Sequence, residues 1–348
     1  MVAPEEAAIE ILMVYGSEKQ AWIEAVVPEF ERWYYEETGV KVRVVCIPMG
    51  SGKSMSQILL GQIEPTVWSP ACSIWIPLMN YLWNMDYPEV VAERGPIVRE
   101  WVPLVISPLV MITWEEYQAR WDLTGLRSLH ELATSEEGGE LKFAHTDPSM
   151  SNSGLMSVLL ELVVAVNETG PGKRPEDITL TDMARPEVKA WISALEARAV
   201  GYPSSTGWLV SNMLSEGPGK INVVLAYENL VIEANKGAGG RVLVAIYPRE
   251  GTFLSDHPFC ILNAPWVRPE QEEVARALRS FLLSYEIQEK AVHYGFRPSN
   301  ANVPLDPSVF NEDLGVKAEL PCRVLSTDVK GEVILLLPDL WLACRPRG

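Results

Sequence analysis

Residues 143–157, FAHTDPSMSNSGLMS, decide how the rest of the chain is read. Leu141, Phe143 and Ala144 make a short buried strand. A polar turn follows, and then a helix whose apolar positions Leu155, Val158, Leu159, Leu162 and Val163 recur at helical spacing. The turn holds Ser149, Ser151, Asn152, Ser153 and Gly154, side chains that cap helix starts and leave backbone N–H groups open to an outside acceptor. Such a start is a ready site for an anion or a polar ligand, and it is also what an ordinary capped helix looks like. The turn alone does not separate the two. Its repetition elsewhere in the chain does.

Working outward, Ile9 to Tyr15 is an apolar run of the kind that forms a strand covered on both faces. Gly16-Ser17 follows, then a helix over about residues 18–37 with Trp22, Val26, Phe30 and Trp33 on one side, a bend expected at Pro28 and a stop at Gly39. Residues 40–47 supply the next strand. VVCIPMGSGKSMSQILLGQI repeats strand, Ser/Gly turn and helix, and Thr66-Val67-Trp68, the turn Ser69-Pro70 and a helix with Ile74, Leu78 and Leu82 repeat it again. Alternation of this kind predicts an α/β fold with right-handed crossovers, a doubly wound, mostly parallel sheet and its turns on one rim. Ser17, Ser51 and Ser69 are therefore expected to be neighbours.

VISPLVMITW at Val105 to Trp114 is an apolar strand interrupted by Ser107-Pro108, read as a crossing from a first lobe to a second. The second lobe takes helices at 128–134 and 186–200, the 143–157 stretch, the turn Pro203-Ser204-Ser205-Thr206-Gly207 with its helix, and the strand 223–226 ending at Tyr227-Glu228. Strands at 242–247 and 257–262 carry the chain back to helices at 269–284 and 286–294, whose stripe of Val274, Leu278, Phe281 and Leu282 faces a core. The Pro-punctuated tail from about Ala301 carries no chemistry.

The chain has 348 residues, enough for two lobes, and its 47% hydrophobic content rules out disorder. A formal net charge of -17 and the lack of a basic face exclude nucleic acid as a partner. Cys46, Cys72, Cys260, Cys322 and Cys344 are scattered without a C-x-x-C pair, so neither zinc nor a redox dithiol is signalled; in an exported protein Cys322 with Cys344 is the pair near enough in sequence to bridge. No apolar run reaches the roughly 20 residues of a membrane span. The start enters a strand almost at once, with no export leader, which suits either a cytosolic protein or an exported one whose leader has been replaced.

GSGKS at residues 50–54 invites a phosphate-loop reading, but the glycine that motif needs five residues before Gly52 is Ile47. A polar helix start cradling something smaller fits better, with Lys53 facing either ligand or solvent. His130, His145, His257 and His293 stand alone without zinc spacing, and no G-x-S-x-G elbow marks a nucleophile. His145 and Asp147 flank the 143–157 turn; they either cap and satisfy it, or orient a ligand or bind a cation with Glu228. Of the 12 tryptophans, Trp68 and Trp208 lie beside the proposed rim and are the candidates for stacking on a ligand.

YGSEKQAW, FERWYYEETGVKV, GSGKS, SPLVMITW, AHTDPSMSNSG, SSTGWLVSNMLSEGPGKINVVLAYENLVIE, HPFCIL and GFRPSN, in this order and spacing, resemble the bacterial extracellular solute-binding proteins of type II periplasmic-binding-protein fold, the receptors of ABC importers. The likeness is greatest to the branch associated with von Willebrand factor type A domains and to oxyanion receptors. The resemblance implies two lobes, 1–107 with 256–348 and 108–255, each a doubly wound mostly parallel sheet flanked by helices, with a ligand cleft between them. It also implies an extracytoplasmic location, periplasmic or as a cell-surface lipoprotein, and a membrane permease as partner. Carried onto this sequence, the ligand turns are Ser17, then Ser51, Gly52 and Ser54, then Trp68 and Ser69, then Ser151 and Ser153, Ser205 and Thr206, and Tyr227 and Glu228. Glu228 is a poor neighbour for a dianion unless turned away.

The leading expectation is thus a receptor, not an enzyme and without a cofactor, that captures a small polar solute, an oxyanion in the first instance, with N–H and hydroxyl donors. Two alternatives stay open. One is the same clamp binding a sugar or other neutral solute through Trp68 and Trp208; the other is a metal-dependent enzyme or sensor domain using Asp147, His145 and Glu228.

Overall fold

In the computed structural model residues 8–346 are described; residues 1–7, on which the reading of a missing leader falls, and residues 347–348 lie outside them. The chain divides into two compact units, Met1–Ile106 with Asp256–Pro304 and Ser107–Ser255 with Leu305–Gly348.

The first unit starts with β1 (Ile9–Tyr15), α1 (Gln20–Thr38), β2 (Val42–Pro48), α2 (Ser51–Leu59) and β3 (Val67–Ser69). These are the expected strand–turn–helix repeats, and β1 pairs in parallel with both β2 and β3, Met13 standing opposite Cys46 and Val67. Side chains alternate along β1, so Ile11, Met13 and Tyr15 share one face. They pack there with Trp22, Val26 and Phe30 of α1, which runs through Pro28 and ends at Gly39 in the left-handed region (φ 73°) that glycine enters without strain. Next come α3 (Trp75–Asp86), α4 (Pro88–Arg94), β4 (Trp101–Pro103) and β5 (Val105–Trp114). Strand β5 is continuous through Ser107-Pro108, where an interruption was expected; both residues pair with the strand at Leu254–Ser255.

The second unit continues with α5 (Glu115–Trp121), α6 (Leu126–Thr134), β6 (Phe143–Ala144), α7 (Asn152–Glu168), α8 (Leu180–Ala184), α9 (Pro186–Glu196), α10 (Thr206–Glu216), β7 (Val223–Tyr227), α11 (Glu228–Ala238), β8 (Leu243–Ile246) and β9 (Leu254–Ser255). Here the expected mostly parallel order is confined to β6 with β7, while β7, β8 and β9 all pair antiparallel with β5. The cause is β5 itself, which enters the unit running opposite to β6 and β7. Helix α7 is the core of the unit: every residue from Asn152 to Val166 is buried, so it carries no polar face.

The chain then returns to the first unit with β10 (Pro258–Ile261), which completes the order β2-β1-β3-β10-β4, followed by α12 (Pro269–Leu282), α13 (Tyr285–His293) and β11 (Arg297–Pro298). Val274 and Leu278 of α12 close the core over β1.

The tail departs from expectation. Residues 305–348 group with the second unit, not the first. They contain α14 (Gly331–Cys344), whose Val333, Ile334, Leu337, Leu340 and Trp341 are buried where the helix packs on α7 and α9. A helix as apolar as α7 needs cover on all sides, and α14 supplies one of them. All five cysteines carry free thiols, so Cys322 and Cys344 are not bridged.

Candidate functional site

In the first unit the turns after β1, β2 and β3 are tied into one rim. Gly16 N–H donates to Ser69 O at 3.1 Å, Met49 N–H to Tyr15 O at 2.7 Å, and Ala71 N–H to Ser51 Oγ at 3.0 Å. The turns that carry Ser17, Ser51 and Ser69 thus lie on one rim, as the alternation of elements predicts. Gly16 has no room for a side chain, since a Cβ would lie 2.1 Å from the Glu18 carboxylate. Gly52 is buried in the first turn of α2, and Lys53 beside it is half-buried.

Two residues assigned to ligand contact have structural work instead. Ser54 Oγ donates to Ser51 O at 2.9 Å and accepts from Trp68 Nε1 at 2.9 Å, and Trp68 is 0% exposed. A buried indole anchored by its N–H offers no face for stacking, so Trp68 is not a platform for a sugar. Ser69 Oγ and the Tyr15 hydroxyl are different: both are buried with no hydrogen-bond partner among the described residues. Burial pushes the Tyr15 phenol well above its ordinary pKa, so it remains a donor.

Behind this rim lies a buried charge group that sequence reasoning missed. The Lys19 ammonium lies 3.1 Å from Ser69 O, 3.4 Å from Pro70 O, 3.2 Å from His257 Nδ1 and 3.3 Å from Glu18 Oε1. Burial works against ionised Glu18, but the Lys19 ammonium, the hydrogen bond from His257 and a backbone N–H together outweigh it and hold the carboxyl at about 2. His257 is held down to about 4 by burial and by Lys19. The imidazole is therefore neutral, and the 3.2 Å approach of Glu18 Oε1 to Nδ1 is not an ion pair. His257 also stands at φ 42°, the left-handed region that non-glycine residues rarely enter, with its N–H bonded to Ala71 O at 3.0 Å. The sequence signal was Glu18-Lys19 directly after a strand end, but nothing in sequence says that a lysine there is buried.

In the second unit the starts of α7 and α10 meet through hydroxyls. Thr146 Oγ1 and Ser153 Oγ are 2.8 Å apart, Ser153 Oγ and Thr206 Oγ1 2.9 Å, and Thr206 Oγ1 and Ser151 Oγ 3.0 Å. All four side chains are buried. Three such contacts use three of four hydroxyl protons, which leaves one to offer elsewhere. The first turn of α7 sits close against the strand end, because a Cβ on Gly154 would fall 2.0 Å from Thr146 O. Ser205 is the N-cap position of α10 and is buried. Asn152 Nδ2 donates to the Tyr227 hydroxyl at 2.6 Å and to Ser255 Oγ at 3.1 Å, joining α7 to the ends of β7 and β9. Thr146, Asn152 and Ser255 were missed as members of this group, although Thr146 and Asn152 lie in the stretch that opened the sequence reading.

The group of His145, Asp147 and Glu228 is not assembled. Asp147 Oδ1 caps its own turn, accepting from Ser149 N–H at 2.8 Å. Glu228 is 0% exposed at the head of α11 and accepts a hydrogen bond from the Tyr247 hydroxyl. His145 turns inward to Glu196, with Nε2 and Oε1 2.8 Å apart. The metal-enzyme alternative built on these three residues is therefore set aside. Trp208 is 65% exposed on α10 and keeps an open indole face.

No helix of the described residues is long and apolar enough to cross a membrane. Among solved structures the chain is similar to a periplasmic thiamin binding protein, at 12% identity over 99% of this chain and 98% of that one, with a TM-score of 0.68. It is also similar to the sulfate-binding protein SubI from Mycobacterium tuberculosis (16% identity, 92% and 96% covered, TM-score 0.61). A third likeness is to AfuA from Actinobacillus pleuropneumoniae, solved with fructose-6-phosphate (13% identity, 97% and 98% covered, TM-score 0.63). At such identities these likenesses bear on the fold, and they match its α/β class. No curated protein matches the sequence. The model of the family described as bacterial extracellular solute-binding protein matches residues 11–297, most of the chain, and this chain belongs to that family.

Proposed function

We propose that the solute is an oxyanion and that the hydroxyl group of Ser151, Ser153 and Thr206 in the second unit supplies donors to it; in the first unit the rim of Ser17, Ser51 and Ser69 is a donor set of the same kind. The observation that carries this reading is the buried chain of hydroxyls joining two helix starts, with one proton to offer and no acidic side chain bonded into it. Helix starts add unpaired N–H groups and the positive end of the peptide dipoles, a combination that suits an anion with several acceptor oxygens. In the first unit the Ser69 hydroxyl is a buried donor with no partner among the described residues. Glu228, the one carboxylate among the expected ligand residues, accepts a hydrogen bond from the Tyr247 hydroxyl. Sulfate and a sugar phosphate, named for two similar structures, are both anions with this pattern of acceptors.

The same reading makes the chain the extracytoplasmic receptor of an ABC importer. Loading would present a docking face to a membrane permease. The family's description as solute-binding protein supports a receptor over an enzyme. A neutral solute stacked on Trp208 is the competing reading, favoured only by that exposed indole.

Calorimetry with sulfate, molybdate, tungstate, phosphate, thiamin and simple sugars tests this. An oxyanion is expected to bind, and Ser153→Ala and Ser69→Ala should each weaken it about tenfold, the loss of one hydrogen bond to a charged group. Unchanged affinity in both variants removes the oxyanion reading. Binding of a sugar that Trp208→Ala abolishes replaces it with the neutral one.

A further inference from the structure

The second unit encloses three ligating side chains that the receptor reading does not use: His145 after β6, Glu161 on α7 and Glu196 at the end of α9. All three are 0% exposed, and one ligand atom of each lies within 4.8 Å of the others. The tautomer of His145 follows from its partners. Nδ1 lies 2.7 Å from Thr146 O and must donate to it, which makes Nε2 the nitrogen that faces Glu196 Oε1 at 2.8 Å, held there either by a second ring proton or by a cation. A backbone carbonyl that fixes one ring nitrogen so that the other can ligate is the usual support of a metal-bound histidine. Glu196 Oε2 accepts from the Tyr202 hydroxyl at 2.6 Å. Among the described residues no donor reaches either carboxylate oxygen of Glu161; both oxygens are buried, and they face this group.

Two carboxylates in an apolar interior need compensation, by a proton or by a cation. Among the described residues no lysine or arginine is paired with either of them, and their one basic neighbour is His145, which pairs with Glu196 when protonated. We infer that His145 Nε2 and one carboxylate oxygen each of Glu161 and Glu196 hold a divalent transition-metal ion of the zinc or manganese kind. A neutral imidazole, two carboxylates and a doubly charged cation sum to zero, as do an imidazolium, one carboxylate and one carboxylic acid, and the metal measurement below separates the two states. One nitrogen and two hard oxygens, with no thiolate, select such an ion over copper(I). Tyr202 stays outside the ligand set and orients Glu196. The ion joins the end of β6 to α7 and α9, and it lies one residue before Thr146, so it braces the segment that carries Thr146, Ser151 and Ser153.

The test uses the full chain, unfolded in guanidinium with a chelator, refolded with Zn2+, with Mn2+ or with neither, and washed with excess Mg2+. Metal content and melting temperature are then read. One equivalent of Zn2+ or Mn2+ per chain with a raised melting temperature is expected, both lost in Glu161→Gln and both kept in Tyr202→Phe. The alternative is a proton shared between Glu161 and Glu196, which glutamine imitates. Hence Glu161→Gln melting at or above the wild type, with metal content equal to the wild type's or absent from both, overturns the inference. If Glu161→Gln does not refold, wild type refolded with Co2+ decides: retained cobalt with an imidazole nitrogen in its absorption-edge spectrum supports the site, and no retained cobalt overturns it.

Discussion

Ser54→Ala separates a structural serine from a ligand serine. Ser54 Oγ is the acceptor for Trp68 Nε1 at 2.9 Å, and both side chains are buried, at 2% and 0% exposure. Removing the hydroxyl leaves an indole N–H in the core without an acceptor, which costs about 1–3 kcal/mol in desolvation. For a domain of 150–250 residues that corresponds to about 2–4 °C in melting temperature for each kcal/mol. Trp68→Phe removes the N–H and leaves Ser54 its bond to Ser51 O at 2.9 Å, so its loss is one of packing volume alone. In the double variant no donor is orphaned. The two effects should therefore fall short of additivity by about 1–2 kcal/mol. Urea denaturation of the wild type, both single variants and the double variant gives this coupling, and calorimetry gives solute affinity in the same four proteins. Strict additivity, or a Ser54→Ala protein of unchanged stability that has lost the solute, refutes the assignment and returns Ser54 to the ligand.

The neutral state of His257 makes stability pH-dependent. Its pKa is about 4 folded against 6.5 unfolded, so its contribution is complete above pH 6.5 and is lost as pH falls toward 4. The groups facing it are Lys19, Glu18 and Asp256. The stability difference between wild type and His257→Gln should shrink by about 3 kcal/mol across that window, and a flat difference contradicts the neutral assignment. Gly154→Ala drives a Cβ into Thr146 O and should destabilise by about 1–3 kcal/mol or more, measured by urea midpoint, while also weakening solute binding through Ser153. Leu337→Ala on α14 should cost about 2–5 kcal/mol in the same assay, where a tail without structure would cost nothing.

The strand–turn–helix repeats of the first unit were readable because β1 is apolar on both faces and its turns carry the residues that local geometry needs. The expectation that Ser17, Ser51 and Ser69 share a rim followed from topology alone. Helix α14 was missed because its apolar residues run together, and Pro338 reads locally as a break; only the unclad sides of α7 explain why that segment folds. The roles of single polar residues were harder still. Ser51, Ser54 and Ser69 look alike in sequence, yet one receives a backbone N–H, one receives an indole and one has no partner.

Local chemistry therefore specified the elements, their alternation and the family's pattern of hydroxyl-bearing turns, since these depend on side-chain period and capping over a few residues. Partnership and burial depend on contacts between residues far apart in sequence. Tertiary packing alone made Lys19 a buried cation beside His257, turned His145 from Asp147 toward Glu196, and buried Glu161 with no donor to its carboxylate among the described residues. A side chain's charge state and its freedom to take a ligand follow from what surrounds it, and that neighbourhood exists only once the chain has folded.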